Sequence, residues 1–245
     1  MIRRHDFNSE WWGKDVGIVS EPGFFELPSR EQSAALGRFA WVEFAQPVSR
    51  LVSRRALAQS GFFYADTQLR FRLDLRKIPP TQRTRELAVN SAAESRFEIR
   101  PEEIRPFQHE RFSMLPGVSP SSLSARYALW AARLISQHPT TSLRFSRDGA
   151  TQGWFLAQGE NEGLQLTLAM LNTRASVSGY DLYAEAIRYF SELGHRLGYA
   201  SFSVRNSNVL NIYSQLGARF VEPRECWIWI APSSPSSGDP NHGNV

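Results

Sequence analysis

Three short strand-like runs in succession, followed by an alternation of helical and strand periods, constrain what this chain can fold into more than any other feature. Leu143-Arg144-Phe145-Ser146, Gly153-Trp154-Phe155-Leu156-Ala157 and Leu164-Gln165-Leu166-Thr167-Leu168-Ala169-Met170-Leu171 are brief and rich in apolar residues, and Asp148-Gly149 between the first two is a hairpin signal. An antiparallel meander is the economical arrangement. Downstream, Leu182, Ala186, Phe190, Leu193 and Leu197 form one helical stripe behind the capping signal Ser178-Gly179-Tyr180-Asp181, and Gly198 is the expected stop. Ala200-Ser201-Phe202-Ser203-Val204 then reads as a strand, Val209 to Leu216 as a helix, and Cys226-Trp227-Ile228-Trp229-Ile230 as a last strand. A meander followed by interleaved helices and strands predicts a mixed, mostly antiparallel sheet flanked by helices, in the α/β (α+β) class.

Ahead of the meander, Leu123, Tyr127, Trp130 and Leu134 recur at helical spacing, so a helix is expected from Ser122 to Ile135. Earlier still, Leu69, Phe71, Leu73 and Leu75 alternate with Gln68, Arg70, Arg72 and Asp74, the pattern of a half-buried strand. Val48, Leu51, Val52 and the stem of Arg55 share one helical face, predicting a helix over Val48 to Leu57 that stops near Gly61. Periodicity is lost between Ile78 and Arg96, behind the pair Pro79-Pro80. The expected organisation is therefore a small N-terminal α/β domain over residues 1–78, a linker over 79–96 and a second domain over 97–231. The Ser-, Pro- and Gly-rich residues 232–245 lack the apolar surface to offset ordering entropy and are expected to be a disordered tail.

The 245 residues, 42% hydrophobic and 21% charged, suffice for a sizeable core. No apolar run approaches the roughly 20 residues that span a bilayer, and the arginines of Met1-Ile2-Arg3-Arg4-His5-Asp6 have no apolar stretch behind them, so cytoplasm is the default expectation. The single cysteine, Cys226, precludes an intramolecular disulfide and fits a reducing compartment; with no histidine beside it, it reads as a buried strand residue. The five histidines lie far apart, so no metal site is expected. Gly159 and Gly163 follow a hairpin rather than a strand-to-helix turn, which excludes a P-loop or dinucleotide fingerprint. Net charge is 28 − 24 = +4, carried almost wholly by arginine, since Lys14 and Lys77 are the only lysines. Arginine's planar fork suits phosphates, as on a nucleotide or CoA. A pI near 9.5 without basic and aromatic residues clustered on one element is thin support for nucleic-acid binding.

Asn206-Ser207-Asn208-Val209-Leu210-Asn211-Ile212-Tyr213-Ser214-Gln215-Leu216-Gly217-Ala218 joins an asparagine, a tyrosine seven positions on, and Leu-Gly. It resembles the last motif block of the GNAT N-acetyltransferase superfamily, and the resemblance extends from about Glu98 to Ile230. The resemblance implies a GNAT-like fold with acetyl-CoA as co-substrate, the Tyr213 hydroxyl near the CoA sulfur and Asn206 helping to hold CoA. Arg174-Ala175-Ser176-Val177-Ser178-Gly179 is similar to the superfamily's phosphate-cradling signature, with Arg174 and Gly179 in agreement and Val177 where the first glycine is expected. Glycine matters there because backbone amides must approach a pyrophosphate closely. Ala218 likewise stands where an aromatic is usual. By the same resemblance the CoA site comprises Met170, Leu171, Asn172, Arg174, Val177, Ser178, Gly179, Tyr180 and Asn206, and the oxyanion donors are N–H groups of the strand ending at Asn172, which diverges from its neighbour to admit the pantetheine arm.

Two further blocks, Phe7-Asn8-Ser9-Glu10-Trp11-Trp12-Gly13-Lys14-Asp15-Val16-Gly17 and Gly61-Phe62-Phe63-Tyr64-Ala65-Asp66-Thr67-Gln68-Leu69, resemble segments of dTDP-fucosamine (dTDP-4-amino-4,6-dideoxygalactose) acetyltransferases. That resemblance implies that the first domain lies on the substrate side, that the acceptor is an amino group of a nucleotide-linked sugar, and that the setting is cell-surface polysaccharide biosynthesis. By itself the pair Trp11-Trp12 reads as core. The expected partner is a small-molecule amine, with no nucleic acid and no membrane, and a homodimer is compatible.

A tyrosine of pKa about 10 facing a thiol of about 8.5 makes full proton transfer roughly 2 kcal/mol uphill, so Tyr213 is expected to hydrogen-bond the nascent thiolate. Glu160, Glu162, His138 and His195 are the titratable residues in or near the second domain's loops, and each reads as a solvated surface group. An amine of pKa near 8 would need little help from a base. Val177, together with Asp181 in the first helical turn, where a carboxylate offsets the helix dipole by up to about 1 kcal/mol, motivates the rival reading: a GNAT-like binding or assembly module without catalysis.

Overall fold

The computed structural model describes residues 1–78, 86–107, 109–160 and 163–232. Its contacts divide the chain into a smaller unit, Met1–Phe44 with Arg50–Tyr64 and the residues from Trp227 on, and a larger unit, Ala45–Ser49 with Ala65–Cys226. This is not a single cut near residue 78. Trp227 is buried with Phe24, Phe44, Leu57 and Phe62, so the end of the chain completes a core built by its beginning. No local pattern reports such a long-range pairing.

In the smaller unit, strand β1 (Ile2–Arg4) runs antiparallel to β2 (Val16–Val19), and β2 runs parallel to β3 (Trp41–Pro47). Helices α1 (Asp6–Trp12), α2 (Ser29–Leu36) and α3 (Arg54–Gln59) complete it. The Trp12 ring meets Trp11 at 5.5 Å and Trp41 at 6.0 Å, both edge-on, so the tryptophan pair packs as a half-buried cluster. Helix α3 begins six residues later than the apolar spacing predicts. Ser53 caps it by accepting the Ala56 N–H, Arg50 adopts a left-handed φ of 66°, and Leu51 is 67% exposed. A cap and a left-handed residue end a helix locally whatever the apolar spacing around them.

The larger unit holds most of β4 (Phe63–Asp74) and of β10 (Arg219–Ile230), with β5 (Ala88–Ser91), α4 (Pro120–Gln137), β6 (Ser142–Arg147), β7 (Ala150–Glu160), β8 (Gly163–Leu171), α5 (Gly179–Glu192), β9 (Leu197–Ser203) and α6 (Ser207–Gln215) between them. The sheet order here is β10-β4-β9-β8-β7-β6-β5. The meander β6-β7-β8 is antiparallel, as is β4 with β9, while β8 runs parallel to β9. Asp148 and Gly149 take φ of 51° and 79°, the paired left-handed residues of a tight hairpin. Within the expected linker, Ala88–Ser91 forms edge strand β5 on β6; residues 79–85, and with them Pro79-Pro80, lie outside the described residues, as does the tail from residue 233.

Two faces of the sheet are covered. Helix α5 packs on Phe145, Phe155, Leu164 and Leu166, while α4 packs on Trp154, Leu156, Leu168 and Met170. Leu164, Leu166, Leu168 and Met170 look like one strand face in the sequence, yet they divide between the two cores. The register supplies the reason: Leu156 pairs with Leu168 and Ala157 with Leu166, so Thr167 is an extra, bulged residue. A bulge turns the rest of a strand over and bends it. Helix α5 also stops earlier than expected, at Glu192 with Gly194 at φ 94°, and Gly198 lies inside β9. A Cβ at Gly198 would come within 2.8 Å of Leu75 and 2.9 Å of Leu166, so that glycine serves close packing rather than helix termination.

Candidate active site

The bulge in β8 opens the sheet. Strand β8 pairs with β9 only from Gly163↔Leu197 to Gln165↔Tyr199, and past the bulge the two separate. The far end of β8 is held by Glu103 to Arg105: Ile104 bridges Asn172, the Arg105 N–H donates to Leu171 O at 3.0 Å, and the Thr173 N–H donates to Glu103 O at 2.9 Å. Asn172 N–H points the other way, to Gln152 O of β7 at 2.9 Å. Main-chain groups alternate between the edges of a strand, so the Ala169 N–H faces the gap, whereas at Leu171 the same edge is taken by Arg105.

Two cavities meet along that edge. The first, about 340 Å³, is lined by Asp66, Glu110, Tyr127, Phe202 and Tyr213; the second, about 430 Å³, by Arg105, Met170, Leu171, Gly179 and Asn208. Phe107, Ala169, Tyr183, Asn206 and Val209 line both, so the two cavities adjoin.

Tyr213 is 4% exposed on α6 and reaches the first cavity. Its ring lies 4.0 Å from Phe71, 5.9 Å from Phe202 in a stacked pose and 5.2 Å edge-on from Tyr183. Burial, reinforced by Tyr183, pushes its hydroxyl pKa well above the usual tyrosine value, and burial does the same to Tyr183. Both phenols are therefore neutral donors, and proton loss from Tyr213 is harder than its ordinary pKa implies. Asn206 lines both cavities, with its side-chain oxygen capping α6 by accepting the Val209 N–H at 3.2 Å.

The loop before α5 differs from the phosphate cradle implied by the sequence. The Arg174 N–H donates to Asn172 Oδ1 at 2.9 Å, the Ala175 N–H to Asn172 O at 3.1 Å, and the Ser176 N–H to Gln152 Oε1 at 2.8 Å. With Asn172 and Thr173 also engaged, five consecutive amides are committed inside the protein. Val177 is buried in the α5 core, which is why a branched side chain is tolerated there. Ser178 caps α5 by accepting the Asp181 N–H, and its hydroxyl donates to the Asp181 carboxylate at 2.7 Å. The amides of Gly179 and Tyr180, the first two residues of α5, have no intrahelical acceptor and stay open to a ligand. A Cβ at Gly179 would lie 3.1 Å from Ile212 Cδ1 of α6, a tight contact with the end of a flexible side chain.

Of the residues expected at a CoA site, Met170, Leu171, Gly179 and Asn206 line the second cavity and Tyr213 the first. Asn172, Arg174, Val177, Ser178 and Tyr180 line neither: Asn172 and Ser178 are turned to local capping, Val177 to the core, and Arg174 to solvent. His138 and His195 also lie away from both, while Glu162 and the Glu160 side chain are outside the described residues.

Two buried carboxylates were not anticipated. Glu110, 7% exposed, accepts the Tyr127 hydroxyl and, at 3.4 Å, the Phe112 N–H, and Phe107 stacks on Tyr127 at 3.8 Å. Asp66, 3% exposed, accepts the Ser203 hydroxyl at 2.9 Å and lies 3.6 Å from Arg205 Nε. Ser203 O in turn accepts the Asn206 N–H at 2.9 Å, tying Asp66 to the start of the tyrosine helix. Asp66 left a trace in the sequence, on the polar face of β4 with Gln68, but polarity there reads as solvent exposure. Glu110 sits in an aperiodic stretch and left none. Among the described residues no helix is long and apolar enough to cross a membrane, and no three His, Cys, Asp or Glu side chains group as metal ligands.

No family model and no curated protein sequence matches this chain. Solved structures do. A GCN5-related N-acetyltransferase from Sphaerobacter thermophilus superposes with a TM-score of 0.51 at 14% identity, covering 78% of this chain and 59% of its own. This chain thus spans less than two thirds of that protein. A conserved protein of unknown function from Staphylococcus epidermidis gives 0.57 at 8% identity over 89% of this chain and 84% of its own, and a tandem GNAT protein from the clavulanic acid biosynthesis pathway gives 0.51 at 10% over 91% and 77%. At these identities the likeness establishes the fold: a mixed, mostly antiparallel sheet flanked by helices, as in the GNAT N-acetyltransferases.

Proposed function

We propose that this chain is an acetyl-CoA-dependent N-acetyltransferase acting on a primary amine of a small molecule. The observation that carries the reading is the pair of adjoining cavities at the unpaired edge of β8, with the Tyr213 helix beside it. The Arg105–Gly179 cavity suits the thioester arm, and the Asp66–Glu110 cavity suits an amine, because buried carboxylates favour a cation and can take its proton. In the step itself the amine nitrogen bonds to the thioester carbonyl carbon and the C–S bond breaks. The Ala169 N–H faces the developing oxyanion, Glu110 or Asp66 accepts the amine proton, and Tyr213 donates a hydrogen bond to the departing thiolate. The acceptor to assay first is the amino group of a nucleotide-linked sugar, on the strength of the N-terminal blocks alone.

One observation favours the rival reading of a binding module, namely the commitment of five loop amides to internal partners. Thermal denaturation separates the two. Acetyl-CoA at about 100 times Kd should add roughly 2.7 kcal/mol, and each 1 kcal/mol moves the midpoint of a chain this size by about 2–4 °C. No shift at millimolar acetyl-CoA would leave the binding module standing.

A further inference from the structure

Resting on the acetyl-CoA reading, we infer that Arg105 grips the pyrophosphate of CoA and replaces the loop amides that this chain has committed elsewhere. A pyrophosphate needs convergent donors, and a cation beside them strengthens the grip. The amides of Asn172 to Ser176 all have internal acceptors, two of them on the Asn172 and Gln152 side chains, which leaves the amides of Val177 to Tyr180 leading into α5. The Asp181 carboxylate in the same turn works against an anion.

Arg105 supplies the missing charge. Arg105 lines the cavity that holds Gly179 and Asn208, and one guanidinium nitrogen, Nη2, lies 3.5 Å from Ala175 O in the loop itself. Its backbone is fixed by the N–H bond to Leu171 O and by the neighbouring bridge of buried Ile104 to Asn172, while the side chain is exposed. Among the described residues no carboxylate pairs with it. The planar guanidinium presents parallel N–H groups to phosphate oxygens, so one side chain can replace two lost amides. Arg174, the loop cation, points to solvent and lines neither cavity.

The test is CoA binding by calorimetry over a series of salt concentrations, for the wild type, Arg105→Gln, Arg105→Lys and Arg174→Gln. Arg105→Gln should weaken CoA at least tenfold and flatten the dependence of Kd on salt, because one phosphate contact is gone, and Arg105→Lys should recover part of the affinity. Unchanged affinity in Arg105→Gln overturns the inference. So does a loss with an unaltered salt dependence, which marks a structural clamp, or a larger loss in Arg174→Gln. Wild-type protein that binds no CoA sinks the acetyl-CoA reading itself, and the role of Arg105 with it.

Discussion

Tyr213 shows how far a residue's chemistry depends on its surroundings. The Asn206-to-Tyr213 spacing marks it in the sequence, but its neutrality comes from Phe71, Phe202 and Tyr183 closing around the ring. A donor that acts on the departing thiolate contributes in the transition state more than in binding. Tyr213→Phe should therefore lower kcat by roughly 100-fold, in the range for loss of one transition-state hydrogen bond, with acetyl-CoA affinity within twofold of wild type. Steady-state kinetics with varied acetyl-CoA checks this, and unchanged turnover removes Tyr213 from the mechanism. The raised tyrosine pKa values carry a second expectation. Of the seven tyrosines, Tyr183 and Tyr213 should stay protonated in the native protein past pH 10, whereas an unfolded chain ionises near pH 10. The folded state then binds more protons than the unfolded one, so this contribution to stability is complete below about pH 10 and is lost as pH rises above it. Alkaline titration of tyrosine absorbance should show two residues that ionise only with unfolding; seven ionising together near pH 10 would contradict the burial.

At the scale of elements, β8 does the most. Its bulge at Thr167 moves Leu168 and Met170 to the α4 face, ends pairing with β9 and bares the Ala169 amide. The strand must also lie flat against β7 at the cleft, and Gly153 allows it. A Cβ at Gly153 would collide with Met170 O and approach Leu182 Cδ1 to 2.6 Å, pushing apart the two strands and the α5 helix packed there. Gly153→Ala should thus cost about 1–3 kcal/mol, as overpacking does, and lower the urea midpoint without changing the slope. A stability equal to wild type would mean that β7 and β8 can separate freely. The existence of β6, β7, β8, α4, α5, α6 and β9 was legible from periodicity and turn residues, because each is set by neighbours close in sequence. Where α3 begins and where α5 ends were not, since caps and left-handed residues at Ser53, Arg50 and Gly194 settle those boundaries against the apolar spacing.

For the molecule as a whole, the chain's own pattern determined the class of fold, the order of its helices and strands in the larger unit, and the two motif residues, Asn206 and Tyr213, that line its cavities. These are properties of local spacing, and local spacing survives without knowledge of any distant contact. Tertiary structure alone decided the rest. It drew Trp227 into a core begun by Phe24 and Phe44, converted part of an expected linker into edge strand β5, and buried Asp66 and Glu110 together in one cavity. It also aimed Gln152 into a loop 24 residues further along, withdrawing the Ser176 amide from the motif. Each of these outcomes joins residues far apart in the chain, and each turns on which polar group finds its partner inside the protein and which is left facing a ligand. That competition is settled only once the sheet has formed.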